Sequence, residues 1–125
     1  MSKTFLGLAI YMALVTGVHV MMGGPEYASV FKAELSTDEY RAMALVLWHA
    51  VTVILILLSL AYLRLAKRFN NDLLWFTTAI QIGWAALFVY YGLSWVGDLI
   101  TLPQWILFLI SPIVAHIAAR RRKTS

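Results

Sequence analysis

The chain contains no cysteine, which excludes disulfides, thiolate metal sites, iron–sulfur clusters and cysteine nucleophiles. Charge is nearly as scarce. Only 13% of the 125 residues are Asp, Glu, Lys or Arg, about half the share in a typical soluble domain. That poverty excludes a disordered chain, a nucleic-acid-binding module and an ordinary cytosolic enzyme. Missing as well are a P-loop, a glycine-rich dinucleotide loop, an HExxH motif and any nucleophile–base–acid triad.

Apolar residues fill the space that charge leaves. They make up 62% of the chain, and the mean hydropathy is +0.78. The charged residues divide the sequence into four long uncharged runs. There are 22 residues between Lys3 and Glu26, 22 between Arg41 and Arg64, 25 between Asp72 and Asp98, and 21 between Asp98 and Arg120. A helix needs roughly 20 residues to cross a hydrocarbon core of about 30 Å. Each run is long enough to span once and too short to span twice.

The reading is therefore an all-α integral membrane protein. It forms a single up-down-up-down four-helix bundle, with helices over about 4–22, 37–66, 72–92 and 103–119 and an outer loop over 23–36. Gly23-Gly24-Pro25 marks the end of the first helix. Ser36 and Glu39 have the spacing of a capping box at the start of the second. Asn70-Asn71-Asp72 opens the third, Pro103 stands at the first position of the fourth, and Pro112 lies inside it. A cleaved secretory signal fits the first run poorly, because 22 residues exceed an apolar signal core and no A-x-A-like site follows.

Orientation follows from the cations. One side of the membrane collects Lys3, Arg64, Lys67, Arg68, Arg120, Arg121, Arg122 and Lys123, and the other only Lys32 and Arg41. The positive-inside bias puts both termini in the cytoplasm, and the basic tail abutting a membrane helix reads as a lipid-headgroup anchor rather than a DNA-binding arm.

Within the spans no Asp, Glu, Lys or Arg lies near the middle, which argues against a proton- or sodium-coupled carrier. The polar intramembrane residues are Thr16, Thr52, Ser59, Gln81 and Gln104, together with Thr77, Thr78 and Ser111 and the three histidines. His19 and His49 both belong to the outer half, on sequential helices, and each shares a helix face with a threonine. Two imidazoles on facing helices are candidate axial ligands for a haem. With Asp98 or Glu26 they are candidate ligands for a metal ion. A histidine beside Trp48 would also suit a quinone or a proton relay. The plainer reading is that each imidazole hydrogen-bonds a threonine or a carbonyl on the neighbouring helix. Gln81 similarly suits an interhelical bond, with Ser59 or Thr16 as partners, and His116 suits a helix-end position near the headgroups.

Small residues repeat at i, i+4 in Ala9-Ala13-Gly17, Ala79-Gly83 and Ser111-Ala115-Ala119, the pattern of helix-packing seams in lipid. Together, Gly17-Val18-His19, Gly23-Gly24-Pro25-Glu26, the patch around Trp48-His49 and Thr52, and Leu102-Pro103-Gln104-Trp105 with Phe108 give the chain a family likeness. It resembles a group of uncharacterised small four-helix inner-membrane proteins of Gram-negative bacteria. The resemblance implies a bacterial inner-membrane location and gives weight to Trp48, His49 and Gln104, and it carries no activity. The functional expectation is a non-enzymatic membrane protein whose partners are the bilayer and either another membrane protein or further copies of itself. An accessory or assembly subunit fits best. A haem- or metal-binding redox protein built on His19 and His49, or a small oligomeric channel or carrier lined by Gln81, Thr77 and Ser59, are the alternatives.

Overall fold

The computed structural model describes residues 1–123 and is all-helical, with no strand among the described residues. Four long helices follow one another: α1 (Lys3–Glu34), α2 (Asp38–Lys67), α3 (Asn71–Val96) and α4 (Gln104–Lys123). The first three are long and apolar enough to cross a membrane. α4 is 20 residues long and ends in a run of cations. Its sequence run of 21 uncharged residues is shared between the helix and the link that precedes it.

The largest departure from the sequence reading is at Gly23-Gly24-Pro25, where no loop over 23–36 forms. The helix widens instead, with i→i+5 bonding from His19 to Ala28, and then returns to α geometry until Glu34. The Ser29 amide, for example, bonds the Gly24 carbonyl. Pro25 offers no amide hydrogen, and in an α-turn its ring crowds the carbonyl one turn back. Widening the turn accommodates the proline without ending the helix, a local irregularity that recurs at functional sites. Only Leu35 to Thr37 are left as the link to α2, and Leu35 there is extended.

The cap of α2 also moves by one residue. Thr37 rather than Ser36 supplies it, its hydroxyl accepting the Tyr40 amide at 3.3 Å and its carbonyl the Arg41 amide at 3.0 Å. Asn70 caps α3 as the turn signal requires, its side-chain oxygen accepting the Leu73 amide at 2.8 Å. α3 continues past residue 92 through one widened turn to Val96 and stops at Gly97. Gly97 has φ +90°, a left-handed conformation that glycine takes without cost, and its amide closes on the Gly92 carbonyl at 2.7 Å.

The chain packs as two compact units, one of Met1–Leu8 with the residues from Ala61 onward and the other of Ala9–Leu60. In the first, α3 lies along α4. Trp84, Phe88 and Phe108 stack with ring centroids 6.0 to 6.4 Å apart, and Ser111, Ala115 and Ala119 form the buried face of α4. The Ser2 amide bonds the Ala66 carbonyl at 2.8 Å, satisfying one of the last carbonyls of α2. In the second unit, Ala9, Met12, Leu55 and Leu58 are buried, and the Ser59 hydroxyl donates to the Ala9 carbonyl at 2.8 Å. One seam of small residues is thus used throughout and another at a single residue. Ala13 and Ala79 are exposed, and a Cβ added at Gly17 or Gly83 would meet nothing within 4 Å.

Candidate functional site

Every fourth residue of α1 from His19 to Phe31 faces one aromatic ring. His19, Gly23, Tyr27 and Phe31 are spaced four apart and so share a helix face, and that face meets Trp48 of α2. The His19 ring stacks on the indole at 4.1 Å, with planes 21° apart. Tyr27 lies at 6.0 Å and Phe31 edge-on at 6.4 Å. Gly23 is the residue that admits the indole: a Cβ there would sit 2.7 Å from the Trp48 ring. The far nitrogen of His19, Nε2, is 3.1 Å from the Thr52 hydroxyl. His19 therefore pairs with a threonine on the neighbouring helix. Thr16 bonds within its own helix, to the Met12 carbonyl at 2.8 Å.

The same combination of residues occurs in the other unit. His116 of α4 is 3.0 Å from the Thr78 hydroxyl and packs against Trp75 with ring centroids 4.6 Å apart. The His116 ring is half-buried against α3.

Among the described residues, His49 has no such threonine and tryptophan pair. It is exposed and lies in a shallow apolar groove on α2 with Ala42, Val46, Ala50 and Val53 among its walls. His19 is thus committed to Thr52 and Trp48, while His49 opens onto a different set of neighbours. No group of three or more His, Asp or Glu side chains among the described residues is placed to hold a metal ion.

The fully buried polar residues form a second cluster. Gln81 has no exposed surface, nor has Ser111 or Tyr62, and Thr77 is 2% exposed. The Gln81 amide group donates to the Tyr62 hydroxyl at 2.9 Å and to the Thr77 carbonyl at 3.0 Å, while its oxygen accepts from Ser111. The partners expected from sequence, Ser59 and Thr16, are engaged with Ala9 and Met12 instead. Tyr62 was not among the polar residues singled out by sequence. Its place inside a charge-free run is the signal that points to it, since a phenol in such a run needs a partner for its hydroxyl. Gln104 stands at the start of α4, and its side-chain oxygen is buried with no hydrogen-bond partner among the described residues.

Asp98 is a local turn residue. One carboxylate oxygen accepts the Ile100 and Thr101 amides at 2.7 Å each, and the other accepts the Thr101 hydroxyl at 2.9 Å. The Thr101 amide and hydroxyl, followed by the Ile100 amide, hold the carboxyl below its ordinary pKa by stabilising its charged form.

No protein-family model, curated protein or solved structure matches the chain.

Proposed function

We propose that this chain is a non-enzymatic integral membrane protein of a bacterial cytoplasmic membrane. It serves as an accessory or assembly subunit that packs against a membrane partner or a second copy of itself. All four helices cross in up-down-up-down order with both ends on the cytoplasmic side, as the distribution of arginine and lysine favours. In this topology the outer ends of α1 and α2 rise beyond the hydrocarbon core, because 32 and 30 residues are each more than about 20 needed to cross it.

One observation carries the reading of an assembling subunit. Only 11% of the residues in the most apolar stretch of α2 are buried, and the exposed side includes His49 between the small residues Ala42 and Ala50. In lipid, helices associate through close approach over small residues and through polar side chains that find a bond on the neighbouring helix. His49 has both features around it. By contrast His19, His116 and Gln81 already have intramolecular partners, which leaves little free chemistry for catalysis.

The test is native mass measurement after extraction in a mild detergent. A particle heavier than the 14.1 kDa monomer is expected, and Ala50→Trp should reduce it to monomer. A strictly monomeric wild-type particle overturns the proposal. Topology is read separately, since the chain lacks cysteine: Ser36→Cys and Lys67→Cys should be labelled from opposite faces of the membrane.

A further inference from the structure

Two arginines line one cavity of the molecule. Arg64, Arg68, Phe69, Asn70 and Leu73 enclose about 350 Å³ at the junction of α2 and α3. Arg64 and Arg68 are four residues apart and share a helix face. Among the described residues neither guanidinium pairs with a carboxylate, and the one ion pair is elsewhere, between Arg41 and Asp38. Two like charges at this spacing repel, so an arrangement that leaves both facing one cavity calls for an anion between them.

The remaining walls suit such an anion. Asn70 spends its side-chain oxygen on the Leu73 amide, which leaves its NH₂ group as a donor. Phe69 is covered by a third guanidinium, that of Arg122, 5.5 Å from its ring centroid, and the same group lies 5.9 Å from Phe5. Phe5 and Phe69 are themselves 6.0 Å apart. The cavity therefore combines two free guanidiniums, an amide donor, and an aromatic wall backed by a further cation.

We propose that this cavity binds the phosphate of an anionic phospholipid headgroup. Guanidinium forks match the geometry of phosphate oxygens, and basic pockets at the cytoplasmic ends of membrane helices take anionic lipids. Leu73 and Phe69 supply apolar surface for the glycerol and the start of the acyl chains. The choice of a lipid over free phosphate rests on the reading that the chain spans a membrane, because the cavity then opens at the depth where headgroups lie.

Native mass spectrometry of the full chain in detergent, titrated with phosphatidic acid, phosphatidylglycerol and phosphatidylcholine, tests this. The two anionic lipids should bind and phosphatidylcholine should bind at least about tenfold more weakly. R64Q/R68Q should lose about tenfold or more in anionic-lipid affinity, as expected for loss of charge-assisted hydrogen bonds, with phosphatidylcholine unchanged. K67Q removes a neighbouring cation that is not part of the cavity wall and should have little effect. Equal losses in K67Q and R64Q/R68Q, or wild-type binding by R64Q/R68Q, overturn the site. Competition by millimolar inorganic phosphate overturns the choice of a lipid. Alkaline carbonate extraction separates the two levels. A chain released from membranes refutes the spanning reading, whereas a retained chain with no preference for anionic lipid refutes the pocket alone.

Discussion

Replacing Gln81 with leucine probes the buried polar cluster. The side chain makes three hydrogen bonds, to Tyr62, to Ser111 and to the Thr77 carbonyl, and has no exposed surface. Interhelical hydrogen bonds in membranes contribute about 0.6 kcal/mol on average and about 1.7 at most. Two of the three bonds cross between helices, the Thr77 bond being within α3, and they set a loss of roughly 1 to 3 kcal/mol, with the lower half favoured because Ser111 can turn to a carbonyl of its own helix. The loss should largely disappear when the partners are also made apolar. Y62F/Q81L/S111A removes donors and acceptors together, and such replacements come close to neutral, so the triple variant should lie within about 1 kcal/mol of wild type. Unfolding from mixed micelles, followed by circular dichroism, measures all of these. Two outcomes refute the reasoning: Q81L indistinguishable from wild type, or a triple variant as unstable as the sum of its parts. The first would mean that water reaches Gln81, as a pore lining requires.

Gly23→Ala should act through Trp48 alone. The new Cβ would be 2.7 Å from the indole, which cannot swing freely while stacked on His19. A loss of about 1 to 3 kcal/mol is expected for such overpacking, with a shift in tryptophan emission, and both effects should vanish in a Trp48→Phe background. For Asp98 the sign of the pH dependence follows from its depressed pKa. Its contribution is present above the ordinary carboxyl range and is lost only as pH falls through the lower, folded value. Amide exchange at Ile100 and Thr101 should stay protected through mildly acidic pH and speed up below it, and Asp98→Ala should remove that protection at every pH.

Charge placement made the helices readable. An uncompensated charge in an apolar environment is so costly that four uncharged runs and their boundaries mark where long helices form, and Asn70 capped α3 where its turn signal stood. The Gly23-Gly24-Pro25 boundary misled for a definable reason. Glycine and proline disfavour α-turns, but a widened turn dispenses with the bond that proline cannot make, and residues His19 to Ala28 adopt it. Side-chain pairing was less legible still. That His19 would bond a threonine on the next helix followed from the cost of an unpaired imidazole, whereas the identity of Gln81's partners did not follow from anything local.

By itself, then, the amino-acid order determined the helical class, the apolar character of the long segments and the helix ends at which the cations gather. These depend on desolvation and backbone hydrogen bonding, which act residue by residue. Tertiary structure decided which faces meet. It placed Tyr62 and Ser111 at Gln81, and Trp48 over Gly23. Those pairings depend on the rotation and depth of each helix against its neighbour, set by packing across residues far apart in the chain.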